Sequence, residues 1–200
     1  MSSLLLSLWI KLFFVLTPFF ALTMFLTLTE GYDAPERRKL ALKVALVTAA
    51  VCLVLFFAGR QIFALFGITL DAFRIGAGVL LLLSGISLVH GRATAAAAGA
   101  AEGDVAVVPL AIPIIVGPAT TGTLLVLGAE MVGLAQKAVG VLALLAAVAC
   151  IGGVLLAGTY IQRALGIRGI AILSKLTGLI LSALAAQMIM MGVQGFLGIS

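Results

Sequence analysis

The sequence predicts an all-α polytopic membrane protein whose six transmembrane helices form an inverted 3+3 repeat, and three observations predict it. Of its 200 residues, 64% are hydrophobic and 10% charged, against roughly 45–50% and about 25% in soluble domains. The apolar runs are long enough to supply the ~20 helical residues that cross a hydrocarbon core of about 30 Å. Finally, Leu16-Thr17-Pro18 heads one apolar, Thr-rich run and Val116-Gly117-Pro118 heads another, 100 residues later. A helix breaker placed equivalently in two halves of a short membrane protein is the best sequence pointer to a transporter's binding site.

In chain order the spans are 4–29, 40–59, 72–90, 105–128, 138–159 and 170–197, each bounded by charge or turn residues. The first is too long for a cleaved secretory signal and has neither a basic start nor a small-x-small cleavage site, so it reads as a retained span. The polar break from Gly91 to Asp104 is rich in Ala and Gly and reads as a linker. It divides the chain into a first three-span repeat (1–92), a linker (93–104) and a second three-span repeat (105–200). Cys52 and Cys150 lie inside apolar runs, and with His90 they give no set at metal-ligand spacing. They read as buried small hydrophobes, with no disulfide, metal or cofactor implied.

Charge placement gives orientation. The first, third and fifth loops carry Arg37, Arg38, Lys39, Arg92, Arg163 and Arg168, whereas the second and fourth carry Arg60 and Lys137. The positive-inside rule then puts the odd loops in the cytoplasm and both termini outside. The net charge of +5 reports this topology and contact with anionic lipid; no nucleic-acid partner is implied.

The repeat extends along the chain. At a constant offset of 100, Pro18 matches Pro118, Thr23 matches Thr123, Gly78 matches Gly178 and Leu81 matches Leu181. Close to that offset Arg74 parallels Lys175 and Gly59 parallels Gly158. With three spans in each half, the halves must insert in opposite orientations, as in alternating-access transporters.

Pro18 and Pro118 each remove an N–H and crowd the carbonyl four residues earlier. Free backbone groups at membrane depth survive only against protein or a water-filled cavity. A simple proline kink is the alternative. The candidate substrate-binding set is Thr17, Pro18, Thr23, Gly117, Pro118, Thr120 and Thr121, since hydroxyls cluster just past each break. They line a cavity, or they bond back to their own helices. Arg74 and Lys175 open spans three and six and either snorkel to an interface or act as gates paired with Asp71, Glu130 or a substrate carboxylate. All seven acids lie in loops or at span ends, so no deep carboxylate relay is present. Enzymatic readings fail: there is no Walker loop, and Ser84 and His90 are about 240° apart around a helix.

The motifs Thr17-Pro18-Phe19-Phe20-Ala21-Leu22-Thr23 and Val108-Pro109-Leu110-Ala111-Ile112-Pro113-Ile114-Ile115-Val116-Gly117-Pro118-Ala119 resemble those of the MarC family of bacterial and archaeal inner-membrane proteins. The likeness continues through Phe73-Arg74-Ile75-Gly76-Ala77-Gly78 and Leu176-Thr177-Gly178, and so covers nearly the whole chain. It implies six spans and small neutral amino acids as substrates. Two departures stand out. The family usually has Asn-Pro-[Ile/Leu]-Gly where this chain has Thr17-Pro18-Phe19-Phe20, and Gly-Pro-Gly where it has Gly117-Pro118-Ala119.

The expected function is therefore secondary transport or export of small neutral amino acids of the Gly, Ala, Ser class at a midplane site. The alternatives are a non-transporting membrane scaffold or regulatory subunit, and transport of another small solute. A homo-oligomer stays open as an assembly state.

Overall fold

The computed structural model describes residues 2–91 and 106–198. The predicted linker at 93–104, with Arg92, Glu102 and Asp104, lies outside them. The described chain is all-helical: α1 (Ser2–Val15), α2 (Pro18–Leu28), α3 (Ala34–Phe66), α4 (Leu70–His90), a π-helix (Ala106–Ile115), α5 (Pro118–Glu130), α6 (Leu134–Leu156) and α7 (Gly158–Leu197). Four of them, α3, α4, α6 and α7, are long and apolar enough to cross a membrane. Counting α1 and α2 as one bent segment makes five. The predicted fourth span is divided between the π-helix and α5, each too short to cross alone.

Helix ends follow backbone chemistry rather than the water boundary. Asp33 accepts from the Glu36 N–H at 2.8 Å while Glu36 accepts from the Asp33 N–H, a capping box. It starts α3 six residues before the predicted span at 40. The same helix runs on through Arg60 to Phe66 and stops at Gly67, whose φ of 62° suits glycine. The predicted loops at 60–71 and 160–169 are correspondingly mostly helical. Charge ends burial in lipid without ending a helix; α7 passes through Arg163 and Arg168 and is bent only at Gly166 (φ 66°, ψ 170°).

Tight helix crossings fix the bundle. α4 and α7 run antiparallel: a Cβ at Gly85 would lie 2.7 Å from the Gly178 carbonyl, and one at Gly178 would lie 2.6 Å from the Gly85 carbonyl. At the other end of this pair Gly192 packs on the Asp71 carbonyl. α3 and α5 meet as closely, with Gly59 against the Leu125 backbone and Gly128 against that of Phe56. Lipid gives helices no hydrophobic reason to associate, so such small-residue contacts supply the dispersion energy that does. The outward side chains complete the picture. Leu46, Leu65, Leu134 and Ile172 are exposed, as a lipid-facing surface requires. Both cysteines are free, Cys52 buried and Cys150 half-buried.

Candidate functional site

The site is built where two helices stop short. α1 closes normally, with Leu16 N–H bonded to Leu12 and Thr17 N–H to Phe14. Thr17 then enters the left-handed region (φ 49°, ψ 59°). Among the described residues it is the only non-glycine there. Pro18 restarts the chain as the first residue of α2, where a missing N–H costs nothing, and the two helices are bent by 40°. In the second half the chain takes another route. Pro109 and Pro113 bring no N–H to a ladder, and the backbone widens to a π-helix, which Val116 N–H continues with a bond to the Ala111 carbonyl five residues back at 2.8 Å. Gly117 is extended, and Pro118 opens α5.

The two interruptions abut at one side chain. Thr120 is buried, and its hydroxyl lies 3.0 Å from the Ile115 carbonyl and 3.3 Å from that of Val15. These are the last residues of the π-helix and of α1. With a single proton the hydroxyl serves one carbonyl at a time or shares it between both. Beside it lies a cavity of about 160 Å³, lined by Val15, Thr17, Phe20, Ser84, Ser87, Ile114, Gly117, Pro118 and Thr120 among others. None of its lining side chains is charged.

Backbone polarity substitutes for charge. The first backbone bond of α2 runs from Ala21 N–H to the Thr17 carbonyl, and that of α5 from Thr121 N–H to the Gly117 carbonyl. The N–H groups of Phe19, Phe20, Ala119 and Thr120 precede those bonds, and no side chain caps either helix. Two helix N-termini, each with partial positive charge, therefore open at the cavity, whose walls include Phe20, Ala119 and Thr120.

Of the seven residues expected to bind substrate, Thr17, Gly117, Pro118 and Thr120 line this cavity. Pro18 is buried as the first residue of α2. Thr121 is half-buried and is not among the lining residues. Thr23 instead donates to the Phe19 carbonyl at 2.9 Å. Its neighbours along the run behave alike, with Thr27, Thr29 and Thr123 each bonding the carbonyl four residues back. These hydroxyls satisfy themselves on their own helices, and Thr23, Thr27 and Thr123 lie in the walls of other cavities than this one.

The ion pairs expected around Arg74 are partly present. Its guanidinium donates to Glu130 at 2.8 and 3.0 Å and to Asp71 at 2.5 Å, tying the start of α4 to the end of α5. Lys11 lines a small recess next to this pair, with Thr123 and Met188. Lys175 is exposed and makes no ion pair among the described residues. It lines a separate cavity of about 230 Å³ with Phe20, Thr23, Leu88 and Ser174. Phe20 and Leu88 belong to both cavities and form the partition between them.

Phe20, where the sequence departs from the family motif, lines the cavity, and so do Ser84 and Ser87, which the sequence does not mark as binding residues. Ser84 donates to the Leu80 carbonyl while His90 bonds Ile86. The available signal was the three-residue spacing of Ser84 and Ser87 on an otherwise apolar span, which puts both on one helix face.

Comparison with known proteins supports the resemblance of the motifs. The model of the MarC family integral membrane proteins matches residues 2–197. A UPF0056 membrane protein of Methanocaldococcus jannaschii is 36% identical over 193 residues, covering 94% of each chain. The UPF0056 membrane protein YvbG of Bacillus subtilis is 30% identical over 98% of this chain and 96% of its own. The UPF0056 inner membrane protein YhgN of Escherichia coli is 30% identical over 92% and 93%. No solved structure matches the chain. With its proline-headed helices, apolar exterior and full-length match, the chain belongs to the MarC family of integral membrane proteins.

Proposed function

We propose that this protein is a secondary transporter of small neutral amino acids, binding them between the interruptions at Pro18 and Pro118 and exposing the site to alternate sides of an inner membrane. The observation that carries the reading is the uncharged cavity of about 160 Å³ at the junction of the two breaks. An apolar cavity of ~150 Å³ takes up benzene, so this one suits a solute of about six heavy atoms, the size of alanine. Its polar equipment suits a zwitterion. Helix N-termini attract a carboxylate, and Ser84, Ser87 and Thr120 offer hydroxyls.

The inverted repeat gains support from paired contacts. Thr120 bonds the carbonyls of positions 15 and 115, which are 100 apart. A Cβ at Gly78 would meet the Ala185 carbonyl, and one at Gly178 would meet the Gly85 carbonyl; exchanging the halves maps one contact onto the other. Taking α1 with α2, and the π-helix with α5, as one broken span each gives six spans and so both termini on the same side, which the bias of basic residues toward the odd loops favours as the outside. The inner-membrane location is favoured by the Escherichia coli relative, an inner membrane protein by name.

Purified protein in proteoliposomes tests the reading directly. Labelled alanine, glycine or serine should enter faster than into empty liposomes, and Thr120→Val should slow that entry. Flux equal to that of empty liposomes across a panel of neutral amino acids would end the proposal in favour of another solute or a scaffold role.

A further inference from the structure

A second cavity, unrelated to the proline breaks, has the chemistry of a phosphate site. It measures about 510 Å³ and is lined by Arg37, Arg38 and Arg163, with Thr159, Tyr160 and Leu156 completing the wall. None of the three guanidinium groups has a carboxylate partner among the described residues. Arg37 is held in place by donation to the Thr159 hydroxyl at 3.0 Å and to the Thr29 carbonyl at 2.9 Å. Its Nε is buried without any acceptor, so the anchored cation is under-satisfied. The neighbouring acids do not neutralise it. Asp33 and Glu36 spend their carboxylates on the capping box, and Glu30 lines the adjoining cavity on the other side of Arg37 without forming a salt bridge.

Three guanidiniums without carboxylate partners in the wall of one cavity are the kind of donor that recognises a tetrahedral oxyanion. From this arrangement we infer that the cavity binds a phosphate group, presented by the head of an anionic phospholipid or as free phosphate. Size favours the lipid. At about 30 Å³ per water-sized volume the cavity holds on the order of fifteen such volumes, which a bare oxyanion leaves mostly unfilled. The surroundings agree, because Arg38 continues along α3 into exposed Leu42 and Leu46 at four-residue spacing, a track along which an acyl chain can lie. Tyr160, 74% exposed, is the residue type that settles at the headgroup level.

The test follows thermal unfolding of the full-length protein in dodecyl maltoside at constant ionic strength. Dioctanoyl phosphatidylglycerol, dioctanoyl phosphatidylcholine and sodium phosphate are titrated in separate arms. Phosphatidylglycerol should raise Tm saturably and phosphatidylcholine should not. In Arg38→Gln/Arg163→Gln, which spares the anchoring Arg37, half-saturation should need about 30-fold more phosphatidylglycerol, the effect of removing two interfacial cations. Arg60→Gln/Arg168→Gln removes the same charge away from the cavity and should bind as the wild type does. Arg38→Lys/Arg163→Lys keeps the charge and should recover most of the binding. Saturable stabilisation by sodium phosphate alone, lost in the first double variant, also supports the site and assigns it to a soluble ligand. Equal weakening in both glutamine pairs, equal effects of the two lipids, or no saturable shift in any arm would overturn the inference.

Discussion

Replacing Thr17 by Gly and by Ala gives a signed test of the first break. Within an ordinary helix, Gly is less stable than Ala by about 1 kcal/mol. At φ 49°, ψ 59° the order inverts, because a residue with a Cβ is disfavoured there by roughly 1–2 kcal/mol and Gly is not. Allowing about 0.5–1 kcal/mol for the greater unfolded-state freedom of Gly, Thr17→Gly should be more stable than Thr17→Ala by about 0.5–1 kcal/mol. The separation between the two hypotheses is therefore close to 2 kcal/mol in the Gly-minus-Ala difference. The comparison is clean because, among the described residues, the Thr17 hydroxyl has no hydrogen bond to be lost in either variant. Asn, which tolerates the left-handed region, should fall near Gly. Val keeps the β-branch and should be the least stable of the set. Reversible unfolding in mixed micelles, titrated with dodecyl sulfate and followed through Trp9, the single tryptophan, reads these differences. Ala more stable than Gly by 1 kcal/mol would mean that residue 17 is helical and that α1 and α2 are one kinked rod.

Three further outcomes follow from the same geometry. Thr120→Val keeps the shape but strands a buried carbonyl at Val15 or Ile115, so it should cost about 1–3 kcal/mol in that unfolding assay, while Thr120→Ser should cost much less. Gly128→Ala pushes a methyl into the Phe56 carbonyl and Gly59→Ala one into that of Leu125; each should destabilise by about 1–3 kcal/mol, and the double variant by less than the sum because both act on one crossing. Phe20→Ala removes part of the wall between the two cavities, so under the transport proposal competition assays in proteoliposomes should show larger neutral amino acids such as leucine displacing alanine more effectively than in the wild type.

What was legible in the sequence was what a residue type forbids. A proline has no N–H in any context, and two helices do begin at Pro18 and Pro118. Hydroxyl partners were not legible. Thr23 and Thr123 always have a carbonyl four residues back within reach, and in an apolar medium they take it. Thr120 escapes that rule because its helix begins only two residues earlier, which leaves it the carbonyls of Val15 and Ile115. The two halves reach a proline-headed restart differently, through a left-handed Thr17 in the first and through a π-helix that contains Pro109 and Pro113 in the second. Helix length was misread wherever charge was taken as a boundary; Asp33-Ala34-Pro35-Glu36 carried the start of α3 explicitly.

Positions 100 apart in the chain meet at the cavity with side chains of different kind. Residues 17 and 117 both line the cavity, as do 20 and 120, so positions 100 apart in the chain reach a shared space. The side chains then differ in kind: position 120 is a Thr whose hydroxyl bonds the carbonyls ending both helices, and position 20 is a Phe packed against both hydrophobic cores. One wall is therefore polar and the other apolar. A solute carrying charge at one end and a methyl at the other has a preferred orientation in such a space, whereas a uniformly polar solute of equal volume leaves the Phe20 face without a compatible partner. Under the transport reading, Phe20→Thr should erode this preference by making the two walls alike, so that glycine competes with alanine more effectively than in the wild type. A glycine-to-alanine preference unchanged by Phe20→Thr would show that the apolar wall does not contact the solute and that selection is made by the Ser84 and Ser87 face instead.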